Sequence, residues 1–256
     1  GPDAGYRALV DIDEATGHVV FAAATDPTQR HLYRVPLGGG APTPLTTAQG
    51  QHGAVFSKDH RTFVQSSSTP TALPVSLVQR LDAAGKPTLL GELSSVAERP
   101  PLLPNLELTT AGPKALRAAL VRPRAFQPGR KYPVVVDVYG GPGHVHVTAE
   151  AARFLLHQWV ADHGYIVVSA DGRGTPGRGR DFERSLKGNF AKVTLADQVE
   201  ALQALGQRYP ELDLSRVGIK GWSFGGYMAA LAVLKRPDVF HVGVAGAPVV
   251  DWHDYD

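Results

Sequence analysis

The stretch VGIKGWSFGGYM, residues 217–228, contains the pattern G-x-S-x-G, with glycines at 221 and 225 and a serine at 223. Glycine at these positions permits a turn so tight that a Cβ atom would clash with the neighbouring strand or helix. Residues 216–219 predict a short strand before the turn, and the run MAALAVL at 228–234 predicts a helix after it. This order predicts that the hydroxyl of Ser223 stands out at the tip of the turn.

Strands and helices alternate on both sides of this turn. Residues 132–139 (YPVVVDVY) and 165–170 (YIVVSA) are continuous apolar runs, typical of strands that are buried on both faces. Residues 195–205 carry apolar side chains at helical spacing, and residues 240–247 predict one more strand. The alternation predicts an α/β domain with a mainly parallel sheet over residues 105–256. Ligands of such sheets bind at the carboxyl ends of the strands, where Ser223, Tyr139, Asp171 and Pro248 are expected.

Three short strand-like runs occur twice in the first hundred residues. The runs that start at Val19 and His31 return at Thr62 and Ser76, displaced by 43 and 45 residues. Periods of about 40–50 residues are typical of β-propeller blades. The six runs are residues 19–25, 31–37, 42–46, 62–69, 76–81 and 87–90. We therefore interpret residues 1–104, which end in a proline-rich linker, as about two blades; a β-sandwich with coincidental spacing is the alternative.

The composition excludes several classes of function. The formal charge of +2 at pH 7 is small and dispersed, so neither nucleic acid nor an anionic membrane is indicated as a partner. The absence of cysteine excludes disulfides and thiolate metal sites, and the ten histidines show no metal-ligand spacing, so no metal or cofactor is predicted. No apolar run approaches the about 20 residues of a membrane-spanning helix, and no targeting signal assigns a compartment.

A serine hydroxyl is a weak nucleophile unless a histidine, oriented by a carboxylate, accepts its proton. In this fold the residues follow the order serine, acid, histidine, and the sequence ends about 30 residues after Ser223. His253 comes from the wrong strand and has only its neighbours as acids, while His144 and His146 precede the serine. We therefore expect the acid and the base C-terminal to Asp256, and we expect the isolated chain to be inactive.

Five blocks of the second half resemble one family of serine peptidases in order and spacing. They cover most of residues 132–256, and together they are similar to the dipeptidyl peptidase IV branch of the prolyl oligopeptidase family. The blocks are DVYGGPG (137–143), DGRGTPGRG (171–179), LADQVEAL (195–202), GWSFGGYM (221–228) and AGAPVVDWHDYD (245–256). The resemblance implies that residues 105–256 form the N-terminal part of an α/β hydrolase domain and that residues 1–104 form the end of a propeller.

The resemblance also implies roles for individual residues. Ser223 matches the nucleophile that is acylated, the backbone amide of Phe224 matches one donor to the oxyanion, and the hydroxyl of Tyr139 matches the other. Phe224 replaces the tyrosine that is usual in the family, but its role belongs to the backbone. From the residues alone, Tyr139 reads as an aromatic side chain that covers the end of a strand.

Val249, Trp252 and Tyr255 resemble the walls of the family's pocket for a proline or alanine of the substrate. An apolar aromatic pocket suits proline, whose side chain has no polar group to satisfy. For Trp252 and Tyr255, ordinary packing against the sheet edge is the alternative. The glycine-rich loop after residue 170 lacks the lysine of a phosphate-binding loop, so we interpret Arg173 as an ion-pair partner. The arginines at 178, 180 and 184 are interpreted as a solvated loop.

These observations favour a serine exopeptidase that releases N-terminal Xaa-Pro or Xaa-Ala dipeptides through an acyl-enzyme. The acidic pair that holds the substrate's amino group in the family is not located in this sequence, so an acylaminoacyl peptidase, an oligopeptidase or an esterase on the same fold stays open. A propeller-hydrolase module that binds without catalysis is a third alternative. The expected partners are peptides with proline or alanine at the second position and the remainder of the enzyme, and the resemblance is compatible with a homodimer.

Overall fold

The chain divides into two compact units in a computed structural model that describes residues 5–253. The first unit is Gly1–Leu103 with Thr148–Arg153, and the second is Pro104–Val147 with Phe154–Asp256. The six residues 148–153 fall inside the range that the sequence assigns to the second domain, but they pack with the first unit.

Two backbone hydrogen bonds fix the segment 148–153 in the first unit. The amide of Ala149 donates to the carbonyl of Thr28, and the amide of Ala151 donates to the carbonyl of Thr69, each at 2.7 Å. Both partners are distant in the sequence, so no local pattern predicts this pairing.

The first unit contains two four-stranded antiparallel sheets, and in each sheet the strands follow chain order. Four-stranded sheets of this kind are the form of propeller blades, as the repeat predicts. The first sheet consists of β1 (Tyr6–Asp13), β2 (His18–Ala23), β3 (His31–Pro36) and β4 (Thr43–Pro44), and the second of β5 (Gln51–Phe56), β6 (Thr62–Thr69), β7 (Ala72–Leu81) and β8 (Pro87–Leu93).

The first strand of each sheet was not predicted from the sequence. Strand β1 reads YRALVDID and β5 reads QHGAVF, so charged residues, histidine and glycine interrupt the apolar alternation. Pairing along the whole length of β2 and β6 stabilises them as strands. In the turn between β7 and β8, the carboxylate of Asp82 accepts hydrogen bonds from the backbone amides of Ala84 and Lys86, at 2.9 Å each.

The second unit is built on a six-stranded sheet in the order β14-β13-β11-β12-β10-β9. Strands β12, β11, β13 and β14 are parallel to one another, whereas β9 and β10 form an antiparallel hairpin at one edge. The strands are β9 (Leu106–Ala111), β10 (Leu116–Val121), β11 (Tyr132–Asp137), β12 (Ile166–Asp171), β13 (Leu212–Trp222) and β14 (Val242–Gly246). The helices are a 3-10 turn at Ala152–Phe154, then α1 (Leu155–Asp162), α2 (Arg180–Arg184), α3 (Phe190–Arg208) and α4 (Phe224–Lys235).

Successive residues of the central strands face opposite layers of helices. Val134 and Val136 of β11 lie in the core that includes residues of α3 and α4, whereas Val135 packs against the core that includes Ala161 of α1. Burial on both faces explains the continuous apolar run of this strand. The arrangement confirms the predicted α/β hydrolase class.

Arg180 and Arg184 are exposed as predicted, but residues 178–184 differ from the predicted loop in conformation and at Arg178. Residues 180–184 form the short helix α2, and Arg178 lies over the ring of Phe182 with its Cζ atom 4.1 Å from the ring centroid. Arg178 also donates to the carbonyl of Lys114 at 2.8 Å. Its side chain is therefore held by packing and hydrogen bonding.

Candidate active site

Ser223 occupies the turn between β13 and α4 in a backbone conformation that is rare for a residue with a Cβ atom. Its φ is 57° and its ψ is −119°. The serine amide donates to the carbonyl of Gly246 at 3.0 Å, and the serine carbonyl accepts the amide of Tyr227 at 3.0 Å. Hydrogen bonds to β14 and to the first turn of α4 thus hold Ser223 in this strained conformation.

The glycines around Ser223 allow three segments of backbone to meet. A Cβ atom on Gly221 would lie 2.2 Å from the carbonyl oxygen of Gly225, and one on Gly225 would lie 2.1 Å from that of Val138. The same Cβ on Gly225 would lie 3.1 Å from the Cα atom of Tyr139. The serine turn therefore packs directly against the backbone that follows β11.

Two groups predicted to stabilise an oxyanion lie beside this turn. Phe224 is the first residue of α4, and the amides of a helix's first turn have no acceptor within the helix. Those amides form the positive end of the helix dipole, which favours negative charge. Tyr139 follows β11 by two residues, and its ring centroid lies 6.0 Å from that of Phe224.

The ring of Tyr139 is held from several sides. Its centroid lies 4.3 Å from the ring centroid of His144, and a Cβ atom on Gly141 would come within 2.7 Å of its Cε1 atom. Gly140 turns the chain with a φ of 69°, and its carbonyl accepts the hydroxyl of Thr194 at 3.0 Å. The half-buried tyrosine is therefore ordered by close packing on the loop that carries it.

Trp252 lies in a cluster of aromatic side chains beside the serine turn. Its ring centroid is 4.9 Å from that of Phe190, 5.3 Å from that of Tyr227 and 5.8 Å from that of Phe224. Phe190 and Tyr227 of this cluster were not predicted from the sequence as part of the substrate pocket. Val249 is half-buried. Tyr255 lies outside the described residues.

The loop at the carboxyl end of β12 is held by buried carboxylates. The carboxylate of Asp171 accepts hydrogen bonds from the backbone amides of His146 at 3.0 Å and Val147 at 2.8 Å. Asp197 of α3 is fully buried. Its carboxylate accepts hydrogen bonds from the guanidinium of Arg173 at 2.7 Å and from the backbone amide of Arg173 at 2.8 Å. The prediction that Arg173 is an ion-pair partner is confirmed.

Asp137, the last residue of β11, is the centre of a cluster that the sequence did not reveal. The carboxyl group is buried, and its Oδ1 atom lies 2.9 Å from the ammonium of Lys220 on β13. Its Oδ2 atom lies 3.3 Å from Nε2 of His146 and is hydrogen-bonded to Nε2 of His157 on α1. Burial opposes ionisation, but the nearby imidazoles of His146 and His157 and the charge of Lys220 hold the pKa of Asp137 well below its usual range.

The carboxylate and two imidazoles of this cluster are ligand types that transition metals use. Their donor atoms lie within 4.8 Å of one another. The ammonium of Lys220 on the same carboxylate opposes the approach of a second cation. We therefore interpret the cluster as a network of hydrogen bonds around one ion pair.

His241 and His253, the two histidines that follow Ser223 in the described chain, are engaged elsewhere or exposed. Nδ1 of His241 accepts the amide of Val217 at 3.1 Å, which makes His241 an edge residue next to β14. His253 is exposed, and its amide donates to Asp251 at 3.0 Å. Within residues 5–253, the hydroxyl of Ser223 makes no hydrogen bond to a histidine.

The fold and the turn at Ser223 together define a class of protein, the α/β hydrolases with a strand-turn-helix nucleophile motif. Comparison with known proteins agrees with this class. Residues 153–256 match the family model described as the prolyl oligopeptidase family, and residues 6–74 match the model of the dipeptidyl peptidase IV N-terminal region. The two matched regions are thus similar to the catalytic and N-terminal parts of the dipeptidyl peptidase IV branch of the prolyl oligopeptidase family.

Individual relatives support the assignment over almost the whole chain. The chain is 35% identical to dipeptidyl peptidase 8 of Homo sapiens over 96% of its length, which is 29% of that protein. It is also 35% identical to the probable dipeptidyl-aminopeptidase B of Emericella nidulans, covering 96% of this chain and 28% of the relative. The crystal structure of Porphyromonas gingivalis dipeptidyl peptidase 4 matches with a TM-score of 0.85 and 30% identity, covering 98% of this chain and 36% of that one. The chain thus spans about three tenths of the length of these curated relatives.

Among the helices of the described residues 5–253, each is too short or too polar to cross a lipid bilayer.

Proposed function

We propose that the protein is a serine exopeptidase of the dipeptidyl peptidase type, which releases Xaa-Pro or Xaa-Ala dipeptides from peptide N-termini through an acyl-enzyme on Ser223. The observation that carries the proposal is the strained serine turn with the first amide of α4 and the ring of Tyr139 beside it. The names of the relatives, which are dipeptidyl peptidases and a dipeptidyl-aminopeptidase, support the same reaction class.

In the proposed reaction, Oγ of Ser223 attacks the carbonyl carbon of the second substrate residue while a histidine accepts the hydroxyl proton. The carbonyl oxygen becomes an oxyanion, which accepts hydrogen bonds from the amide of Phe224 and the hydroxyl of Tyr139. Donors aimed at the developing charge lower the barrier, and one such donor is worth about 2.7–4 kcal/mol. Collapse of the intermediate expels the amine with the histidine's proton, and water then hydrolyses the ester.

We propose that the histidine and its carboxylate come from parts of the protein outside residues 5–253. This follows from the order serine, acid, histidine in the fold and from the greater length of the relatives. Val249, Trp252 and Tyr255 are proposed as the wall that receives the proline or alanine side chain. The contact of Trp252 with Phe224 and Tyr227 supports this role, because it puts an apolar surface next to the serine turn.

Labelling by a fluorophosphonate tests the nucleophile in the full-length protein. We expect the wild type to be labelled and Ser223→Ala to be neither labelled nor active. The matched control is Ser215→Ala, since Ser215 is an exposed serine of β13, the strand that leads into the turn at Ser223. Labelling that persists in Ser223→Ala, or unchanged function in that variant, contradicts the proposal and favours a binding module.

Chromogenic amides test the specificity. We expect Gly-Pro and Ala-Pro amides with a free amino group to be cleaved at least about tenfold faster, in kcat/KM, than the same substrates with a blocked N-terminus, because one lost charge-assisted contact costs about 1.5–3 kcal/mol. Faster cleavage of the blocked substrates would instead identify an acylaminoacyl peptidase or an oligopeptidase.

A further inference from the structure

The proposed oxyanion donor and the proposed nucleophile follow directly after two paired residues of neighbouring strands. Asp137 of β11 is in register with Lys220 of β13, and this is the last pair between the two strands. Tyr139 comes two residues after Asp137, and Ser223 comes three residues after Lys220. The pairing of the two strands therefore ends just before the segments that carry Tyr139 and Ser223.

A backbone hydrogen bond and an ion pair join the two strands where their pairing ends. The amide of Val138 donates to the carbonyl of Lys220 at 2.9 Å, and the Lys220 ammonium lies 2.9 Å from the Asp137 carboxylate. The Asp137 carboxylate is buried, so loss of the half-buried Lys220 ammonium would leave it without its cationic partner, and the pair therefore favours one arrangement of the two strands.

The other oxygen of Asp137 connects two further elements. His157 reaches it from α1, and His146 reaches it from the loop that also carries His144, the residue that contacts the ring of Tyr139. The Asp171 carboxylate holds the backbone of that loop at His146. One carboxylate thus connects β13, α1 and the loop that packs on Tyr139.

We propose that Asp137 is a positioning residue for the oxyanion site, whose bonds to Lys220, His146 and His157 set the place of the Tyr139 hydroxyl relative to Oγ of Ser223. This inference rests on the proposed function, in which Tyr139 donates to the oxyanion. Asp137 does not contact the substrate in this role. It acts through Tyr139, because an oxyanion donor displaced by about 1 Å loses much of its effect on the rate.

A double-mutant cycle in the full-length protein tests the inference. Asp137→Asn, Tyr139→Phe and the double variant are compared with the wild type on a Gly-Pro amide. We expect Asp137→Asn to lower kcat by roughly 10- to 100-fold with KM changed less than about threefold, as for a group that acts in the transition state. In the Tyr139→Phe background, where the hydroxyl is absent, the same substitution should lower kcat by less than about threefold.

Asp213→Asn is the control. Asp213 also lies on β13 and pairs with Arg216 at 2.7 Å, but this pair is on the surface, and we expect kcat to change less than twofold. If Asp137→Asn does not fold, Lys220→Met replaces it in the same cycle, because it removes the charge and keeps the aliphatic chain.

The outcomes separate this inference from the proposed function. The positioning role is overturned if Asp137→Asn lowers kcat equally in the wild type and in the Tyr139→Phe background. It is also overturned if Asp137→Asn keeps full activity while Tyr139→Phe is impaired. If instead Tyr139→Phe and Ser223→Ala keep full activity, the proposed function itself is wrong.

Discussion

Ser223 shows how a sequence can enforce an unfavourable backbone conformation at one residue. A non-glycine residue outside the common φ and ψ regions costs roughly 1–3 kcal/mol. Here the cost is offset by hydrogen bonds on both sides of the serine and by glycines that let the surrounding backbone close in. The position of the Ser223 hydroxyl, the proposed nucleophile, is thus a consequence of backbone packing.

Gly225→Ala tests this packing. The new methyl group would lie 2.1 Å from the carbonyl oxygen of Val138 and 3.1 Å from the Cα atom of Tyr139, and backbone atoms cannot yield cheaply. We expect a lower Tm, in line with a loss of about 1–3 kcal/mol for overpacking, together with loss of fluorophosphonate labelling.

Gly218→Ala is the control, a glycine of β13, the strand that leads into the serine turn. Its methyl group would meet no atom closer than 3.7 Å, which is ordinary contact. Its labelling should stay near that of the wild type. A Gly225→Ala variant that labels as fast as Gly218→Ala would show that the close approach is not needed.

At the scale of elements, a network of ion pairs links the hairpin of β9 and β10 to the segment between α3 and β13. Arg122, which follows β10, lies 2.7 Å from the carboxylate of Glu107 on β9 and 2.9 Å from that of Glu211 before β13. The carboxylate of Glu107 also accepts a hydrogen bond from the hydroxyl of Tyr209, which follows α3. Burial opposes ionisation of Glu107, but the bonds from Tyr209 and Arg122 outweigh it and lower its pKa.

The lowered pKa of Glu107 predicts a pH dependence of stability. A carboxyl group with a depressed native pKa stabilises the fold above its unfolded value of about 4.3, and this stabilisation is lost as the pH falls towards the native value. We therefore expect Glu107→Gln to lower the Tm at pH 7 and the difference from the wild type to shrink below about pH 4.

The control for this measurement is Glu92→Gln, a change at an exposed residue of β8. Its Tm difference should be small and nearly independent of pH. A Glu107→Gln difference that grows on acidification would contradict the assigned direction of the pKa shift.

At the scale of the whole molecule, each unit has a core of its own. Phe63 lies in the core of the first unit and stacks on Phe56 with centroids 4.6 Å apart, while Leu120 lies in the core of the second unit. Separate cores allow the units to open separately, since local unfolding follows cooperative groups of contacts.

Hydrogen exchange measured by mass spectrometry tests this independence in the full-length protein. Phe63→Ala should cost about 3–5 kcal/mol and Leu120→Ala about 2–5 kcal/mol within the affected unit. We expect Phe63→Ala to speed exchange in β6 and β7 but not in β10 and β12, and Leu120→Ala to do the reverse. Faster exchange in both units from either change would mean that they unfold as one.

The sequence by itself determined the local elements. Apolar runs predicted β11, β12 and β14, the G-x-S-x-G pattern predicted the turn at Ser223, and a repeat predicted six of the eight strands in the two blade-like sheets. These features are readable because side chains a few residues apart decide a strand, a turn or a helix. Polar or interrupted strands such as β1 and β5 escaped prediction because their pairing, not their periodicity, makes them strands.

Only the tertiary structure decided which distant side chains meet. Asp137, His146, His157 and Lys220 come from β11, a loop, α1 and β13, and no spacing in the chain indicates that they share one carboxylate. The same holds for Trp252 beside Phe190 and for residues 148–153 in the first unit. The order of the parallel strands brings Asp137 and Lys220 together, and that order depends on packing across the whole second unit.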